Sequence, residues 1–326
     1  MVDDKKDLLS AIQEMKRVIK TVVITPIGDI ESIRMAMNKG AFDFITRPIN
    51  LKDLDIALMK TVEELKRVKE AEETQSKLFD IEKELDVAKS IQNSILPHDF
   101  KPFPKDDSFE IYGAMLPAKR VGGDFFDFFA IDETRLAFTI ADVSGKGVPA
   151  ALFMTMTRGL LRALGQKTKS PVQCFQQLNE LILLENDSSM FVTAFYAIYN
   201  TDSGLIEYCN AGHNPPYYIS AKGELKQIGR CEGIALGVAK ESSFFEKKEL
   251  LLNPGDTLLL YTDGVTEAMD LQGELYQESR LEEFLSQSYQ LSLKELLNQI
   301  VTALKSFAKD REQSDDITLL ALRKLK

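Results

Sequence analysis

Four acidic positions, each at the end of a strand-like run, constrain this chain more than any other feature. They are Asp124 in a Gly-Gly-Asp turn, Asp142 after Leu136–Ile140, Asp263 after Thr257–Thr262, and Asp315-Asp316 before Ile317–Leu322. Gathering carboxylates opposes folding, because like charges repel and desolvation is costly. A divalent cation removes that repulsion, and oxygen donors with few His or Cys favour Mg²⁺ or Mn²⁺ over Zn²⁺. The sequence therefore predicts a magnesium or manganese site built from strand ends.

Composition limits the class of protein. The 326 residues include 44% hydrophobic residues and 19 Phe, which suffices for a large domain with a sizeable core and a smaller one. A net charge of −10 argues against a nucleic-acid partner. The three cysteines, Cys174, Cys209 and Cys231, fit no metal spacing, and the charged N-terminus is no secretory signal. With no apolar run near the roughly 20 residues of a membrane span, we predict a cytoplasmic protein without membrane contact.

Residues 1–50 alternate between helical and strand-like patterns. The predicted elements are helix Asp7–Ile19, strand Thr21–Thr25, helix Asp29–Lys39 and strand Phe42–Thr46. The run GDIESIRMAMNKGAFDFITRPINLKDL resembles the carboxy-terminal part of a two-component receiver domain, with Thr25 at its expected strand end. Arg47-Pro48 stands where that family has Lys-Pro, and the strands with the acidic cluster and the phosphorylated aspartate are absent. We predict a partial receiver-like α/β segment; a small α/β cap without a signalling role is the alternative.

Residues 51–96 form the next segment, which contains neither Gly nor Pro and is predicted to be one charged helix ended by Pro97. Heptad spacing links Leu78, Ile81, Leu85, Ala88, Gln92 and Ile95. A second frame, Leu58, Thr61, Leu65 and Val68, precedes it and does not join it smoothly. We predict a coiled-coil linker and hence a homodimer. The alternative is a solvated helix that packs on its own domain.

From residue 97 to residue 326 the pattern changes to strands, turns and a few helices. Predicted strands are Phe109–Leu116, Arg135–Ala141, Phe191–Asn200, Leu205–Ala211, Tyr217–Ser220, Thr257–Thr262 and Ile317–Leu322. Predicted helices are Val148–Leu164, Pro171–Leu184, Leu281–Gln287 and Leu293–Phe307. Asp202-Ser203-Gly204 and Lys222-Gly223 predict hairpin turns. Such an order indicates an α+β domain rather than repeated βαβ units.

Five motifs occur in a family order: GGDFFDFF, ADVSGKGVPAALFM, NAGHNPP, LLLYTDGVTEA and SDDITLLAL. Together with the upstream SIQNSILP they resemble the PPM-type metal-dependent Ser/Thr protein phosphatases, in their SpoIIE/RsbU-like branch. The resemblance covers about residues 88–326. It implies a sandwich of two antiparallel β-sheets flanked by helices, with two metal ions, Mn²⁺ or Mg²⁺, in a cleft at one end.

The resemblance also implies roles for individual residues. Asp142 matches the carboxylate that bridges the two metals, and Val143 the position whose backbone carbonyl binds the second. Asp263 and Asp315 match terminal ligands of the first metal, while Asp124 matches the acidic residue that reaches the metals, commonly through water. Two cations about 3.5–4 Å apart can bind a phosphoryl oxygen and activate a water. Little covalent work then remains for side chains.

Other candidates are open to two interpretations. Lys119 and Arg120, upstream of Asp124, can hold the substrate phosphate or simply be solvated. His213 can be a general acid or a turn-stabilising residue, and we favour the latter. Asp127 can be a fifth ligand, although a solvated strand residue is the favoured reading.

Two further details concern the motif around Asp142. Gly145-Lys146-Gly147 lacks phosphate-loop spacing, so we read it as the turn into the next helix. Ser144 stands where animal-type relatives of the family have a His, which leaves the general acid unassigned.

The sequence thus predicts a phosphatase that hydrolyses phosphoserine or phosphothreonine on a protein and is regulated through its linker. The resemblance suggests an anti-sigma-factor antagonist as the substrate. A phosphatase-like binding or scaffold module is the alternative, kept open by Ser144. A two-metal nuclease is disfavoured by the acidic charge balance.

Overall fold

A computed structural model describes residues 19–26, 28–103, 105–184, 186, 189–229, 233–240 and 244–326. Except for Ile19, the predicted helix Asp7–Ile19 lies outside these residues, as does Cys231. The chain divides into two compact units, Met1–Glu84 and Leu85–Lys326. No helix among the described residues is long and apolar enough to cross a membrane.

The described part of the first unit opens with a parallel strand pair around a helix. Strands β1 (Val22–Pro26) and β2 (Asp43–Arg47) pair in parallel, and α1 (Ile30–Asn38) connects them. The side chain of Asp29 caps α1 by accepting the Ser32 N–H at 3.1 Å. The predicted βαβ order of these elements is confirmed, with boundaries shifted by one residue. The receiver-like role of the segment stays a prediction.

One long helix, α2 (Leu51–Ile95), follows, and its bounds match the predicted helix. At about 1.5 Å per residue it extends close to 70 Å. The seam residues Leu78 and Ile81 are exposed, at 57% and 52%. Gln92 is buried, however, and Ile95 packs against the domain core. The C-terminal end of the helix therefore packs on its own domain, while pairing through the rest of the seam remains a prediction.

The second unit contains two five-stranded sheets whose neighbouring strands all pair antiparallel. In chain order the strands are β3 (Phe109–Leu116), β4 (Phe125–Ala130), β5 (Arg135–Val143), β6 (Val192–Asn200), β7 (Leu205–Ala211), β8 (Tyr217–Ile219), β9 (Leu225–Gln227), β10 (Lys248–Leu251), β11 (Thr257–Tyr261) and β12 (Ile317–Lys324). The first sheet has the order β10-β7-β6-β5-β4 and the second β3-β12-β11-β8-β9. Both predicted hairpin turns are present, at β6–β7 and β8–β9.

The helices of this unit are α3 (Val148–Gly165), α4 (Pro171–Leu184), the one-turn α5 (Asp263–Thr266), α6 (Gln277–Ser288) and α7 (Leu293–Ala308). Helix α6 begins four residues before the predicted start, since its first turn is polar and gives no apolar period. At α7, Ser292 and Glu295 form a reciprocal capping box that fixes the start of the helix.

Three buried clusters define the layers. Phe126, Phe138 and Leu320 belong to the cluster between the two sheets. Phe125 and Phe129, alternating with Phe126 along β4, face the other way and pack with α3 and α4. A third cluster joins the second sheet to α6 and α7. The order of layers is therefore helices, sheet, sheet, helices, as the predicted α+β sandwich requires.

Candidate metal centre

The register of the two sheets brings the predicted aspartates to one end of the sandwich. In the first sheet Phe125 pairs with Ala141, which sets Asp124 beside Asp142 at the edge of β4 and β5. In the second sheet Tyr261 pairs with Leu319, so the residues after β11 and before β12 lie together. Asp263 occupies the first of these positions and Asp315-Asp316 the second. We call these five side chains the aspartate cluster.

Asp124 is the most buried member of the cluster, with 1% of its surface exposed. Burial, and then the charges of Asp142 and Asp316, raise its pKa well above the ordinary value, against a smaller lowering by the Thr262 and Thr318 hydroxyls. Its Oδ2 atom has no hydrogen-bond partner among the described residues. A buried carboxylate oxygen without a partner is costly, and a bound cation would satisfy it.

The same forces act on Asp142 and Asp263. Burial, followed by the charge of Asp263, raises the pKa of Asp142 to about 7. Burial, followed by the charges of Glu267 and Asp315, raises the pKa of Asp263 to about 6. Both carboxyls therefore lose their protons less readily than an ordinary aspartate, and a nearby positive charge would favour their ionised forms.

Asp316 has a different role from its neighbour. Its Oδ1 accepts the Ala118 N–H at 2.7 Å and its Oδ2 accepts the Gly123 N–H at 2.6 Å. A Cβ on Gly122 would lie 2.5 Å from that Oδ2, so any other residue there would displace the Asp316 carboxylate. Asp316 therefore holds the Gly-Gly-Asp loop and aims Asp124, a function that the motif alone did not reveal.

The loop also meets the backbone at Val143. A Cβ on Gly123 would lie 3.1 Å from the Val143 carbonyl oxygen. Close approach of loop and carbonyl thus depends on a residue without a side chain. The predicted carbonyl ligand accordingly lies next to the loop that carries Asp124.

Comparisons with known proteins agree with this geometry. The family model "Stage II sporulation protein E (SpoIIE)" matches residues 132–325. The chain is 31% identical to phosphoserine phosphatase RsbU of Bacillus subtilis over 245 residues, which cover 75% of this chain and 71% of RsbU. The chain belongs to the SpoIIE family.

Solved structures carry the same fold. The SiaA-PP2C domain of Pseudomonas aeruginosa superposes with a TM-score of 0.67 at 22% identity, covering 76% of this chain and 98% of that domain. RsbX, solved in complex with magnesium, gives 0.51 at 16% identity, with 67% and 96% covered. The predicted PPM phosphatase fold is confirmed.

Membership in the SpoIIE family makes the chain a protein-serine/threonine phosphatase of bacterial signalling. Family membership therefore favours a catalytic phosphatase over the alternative of a phosphatase-like binding or scaffold module. Some other curated relatives are longer: the chain spans 41% of IcfG from Synechocystis and 56% of RsbP from Bacillus subtilis.

In this SpoIIE-family chain the two candidate phosphate ligands differ. The Arg120 guanidinium is bound to Asp86 of α2 at 2.6 Å, and both side chains are about half exposed. Lys119 is exposed beside the turn before α3, where a Cβ on Gly147 would lie 3.6 Å from its Cδ. Lys119 is thus placed next to the motif that carries Asp142, whereas Arg120 is engaged with the linker helix.

His213 is a turn-stabilising residue in geometry. The backbone N–H of His213 donates to Asn210 Oδ1 at 2.8 Å, and the side-chain amide of Asn210 donates to the backbone carbonyl of His213 at 3.0 Å. Burial lowers the pKa of the imidazole to about 4, so the ring is neutral near pH 7. Ser144 is also engaged, since its hydroxyl accepts the Phe191 N–H at 3.0 Å. These contacts are structural.

The favoured prediction for Asp127 was wrong. Its side chain is fully buried and paired with two arginines of α3: Arg162 at 2.7 Å and Arg158 at 3.1 Å. The alternation along β4 turns Asp127 toward the α3 layer. It is neither a solvated strand residue nor a member of the aspartate cluster.

Donor chemistry decides whether the cluster fits a cation. Among the described residues, no three His, Cys, Asp or Glu side chains already stand in an arrangement that could hold a metal ion. Mutual repulsion keeps uncompensated carboxylates apart, so a closed arrangement needs the charge of the cation itself. The unpartnered Asp124 Oδ2 and the raised pKa values of Asp124, Asp142 and Asp263 fit a divalent cation with oxygen ligands.

Proposed function

We propose that this chain hydrolyses phosphoserine or phosphothreonine on a protein with two Mn²⁺ or Mg²⁺ ions. Asp124, Asp142, Asp263 and Asp315 would hold the ions, together with the carbonyl of Val143. The observation that carries the proposal is the convergence of carboxylates from both sheets around a buried, unpartnered oxygen of Asp124. Membership in a phosphatase family supplies the reaction class.

The chemistry follows from the charge of the substrate. In-line attack on a phosphomonoester requires neutralisation of charge on the phosphoryl oxygens, with little covalent participation by side chains. When bound, the cations supply that positive charge and a nucleophile at neutral pH. The side chains of this chain hold the metal ligands in place. Asp316 fixes the loop of Asp124 by accepting hydrogen bonds from the backbone N–H groups of Ala118 and Gly123. Lys119, beside the turn that follows Asp142, is the residue that we assign to the substrate phosphate.

The substrate class rests on kinship. RsbU is named a phosphoserine phosphatase and shares 31% identity with this chain. The SpoIIE/RsbU-like resemblance suggests a small anti-sigma-factor antagonist as the phosphoprotein. Mass spectrometry of phosphopeptides lost when the enzyme is added to a phosphoproteome would identify it.

Removing a cluster carboxylate tests the catalytic assignment. We expect Asp142→Asn and Asp263→Asn each to abolish Mn²⁺-dependent hydrolysis of an aryl phosphate, because Asn keeps the shape and loses the charge that the cations need. Asp202→Asn, in the exposed β6–β7 turn, is the matched control and should keep wild-type activity. More than about a tenth of wild-type activity in either cluster variant would contradict the proposal.

Regulation through the linker belongs to the same proposal. The Gln92 amide donates to the Gly122 carbonyl at 2.7 Å, and its Oε1 accepts the Gly122 N–H at 3.0 Å. The C-terminal end of α2 is therefore hydrogen-bonded to the loop that carries Asp124. We propose that pairing of residues 51–95 between two chains sets phosphatase activity through these hydrogen bonds.

Charged seam residues test regulation by the linker. Leu78→Lys with Leu85→Lys should convert a dimer to a monomer and change the specific activity toward a phosphoprotein, because an ammonium in each seam position opposes pairing. Light scattering and activity assays measure both. A wild-type monomer at micromolar concentration, or a double variant that keeps its dimer and its activity, would refute this part.

A further inference from the structure

Lys146 makes a contact that its place in the sequence does not suggest. It lies in the turn between β5 and α3, flanked by Gly145 and Gly147, whose φ angles are +88° and +78°. Its ammonium lies 2.7 Å from Oδ2 of Asp315, and it also donates to the Ser314 carbonyl. A lysine three residues after one predicted metal ligand, Val143, is thus bound to another, Asp315, which is 169 positions away.

This ion pair is unusual within the aspartate cluster. Of the ion pairs among the described residues, it is the one that engages a cluster carboxylate. An ammonium hydrogen points at the same oxygen lone pairs that a divalent cation requires. Lys146 and a cation at Asp315 therefore compete for one carboxylate.

The pair is also easy to open. The Lys146 side chain is 41% exposed and that of Asp315 27%, so water and ions reach both. A Cβ on Gly145 would meet nothing within 4 Å, which leaves the turn room to move. A half-exposed ion pair contributes little net stability, because water solvates its separated partners well.

Resting on the proposed assignment of Asp315, we propose that Lys146 is a built-in counter-ion that a divalent cation must displace from Asp315, so that Lys146 weakens metal binding at this end of the cluster. In the metal-free protein the ammonium compensates Asp315. In the loaded protein it is released toward the open side of the turn. Lys146 is in this sense a positioning residue that tunes metal affinity.

Calorimetric titration with MnCl₂ tests the proposal without reference to turnover. Lys146→Gln removes the competing charge and should bind Mn²⁺ roughly threefold to fivefold more tightly than wild type, the upper part of the range expected for a partly exposed pair. Lys146→Met should shift affinity in the same direction. Lys146→Arg keeps the charge and should stay within about twofold of wild type.

Lys119→Gln is the control for charge alone, because Lys119 lies beside the same turn without an ion pair to Asp315. It should bind Mn²⁺ within about twofold of wild type. Equal or weaker binding by both Lys146→Gln and Lys146→Met would overturn the inference, as would an equal gain in Lys119→Gln. If wild type binds no Mn²⁺, or Asp142→Asn binds it as tightly, the proposed function itself fails.

Discussion

Asp124 and Asp127 lie three residues apart, and both are buried, at 1% and 0% exposure, yet their surroundings are opposite. Asp127 faces the α3 layer and has two arginines of its own, Arg158 and Arg162. Asp124 faces the carboxylates of Asp142 and Asp316, and its Oδ2 has no hydrogen-bond partner among the described residues. Burial alone does not distinguish a structural carboxylate from a functional one; the source of compensating charge does.

The pKa directions express the same difference. Burial raises the pKa of Asp127, but the charges of Arg158 and Arg162 oppose the rise. For Asp124, burial and the charges of Asp142 and Asp316 act in the same direction. The negative charge of Asp127 is compensated by arginines of the same fold. The negative charge of Asp124 requires a positive charge from outside the chain.

The largest effect should come from removing the compensated carboxylate. Asp127→Asn leaves two arginines without their anion, one of them nearly buried, and should lower the free energy of unfolding by about 3 kcal/mol. Urea denaturation measures the loss, and calorimetry should find Mn²⁺ affinity unchanged. A loss below about 1 kcal/mol, or weakened Mn²⁺ binding, would show that the two aspartates are not separate in function.

Replacing the uncompensated carboxylate of Asp142 should instead raise the free energy of unfolding of the metal-free protein. The folded pKa of Asp142 is raised to about 7 from 3.8, so the folded state keeps a proton that the unfolded chain releases. Wild-type stability is therefore lost as pH rises from about 4 to about 7. Asp142→Asn lacks this loss. It should exceed wild type by on the order of 2 kcal/mol above pH 7 and match it near pH 4.

Thermal unfolding of both proteins in the presence of a chelator, between pH 4 and pH 8, measures how this difference in stability grows with pH. His213 titrates in the same window with the opposite sign: its pKa is lowered to about 4, so its contribution is present above about 6.5 and is lost as pH falls toward 4. Both proteins contain His213, so the difference between them cancels its contribution. A pH-independent gap would refute the prediction.

Much of the site was predictable because strand ends are visible in sequence. Apolar runs stop at Asp142 and Asp263, and antiparallel register then brings these ends together. The role of Asp316 was not predictable from the motif. It depends on hydrogen bonds to Ala118 and Gly123, which are almost 200 residues away.

Each missed feature has its own physical cause. Asp127 reads as a solvated strand position because its arginines lie on a helix that begins beyond β5. Strands β9 and β10 are short and partly exposed, so Leu225–Gln227 and Lys248–Leu251 lack the apolar runs that predict strands. Gln92 fits the heptad pattern, but its side chain is hydrogen-bonded to the backbone of Gly122. Residue spacing alone cannot show whether such a side chain faces a partner helix or its own domain.

The smallest effect should come from changing one arginine at the compensated site. Arg162 donates to Asp127 at 2.7 Å and lies 5.0 Å from the centre of the Phe129 ring, but its side chain is 38% exposed. Arg162→Lys keeps the charge and loses the planar fork and the ring contact, so it should cost about 1 kcal/mol. Arg158→Lys should cost more, because that side chain is only 13% exposed and a displaced ammonium would be desolvated there. Urea denaturation of both variants gives the order. If Arg162→Lys cost as much as Asp127→Asn, compensation at Asp127 would depend on the geometry of one arginine rather than on the charge of two.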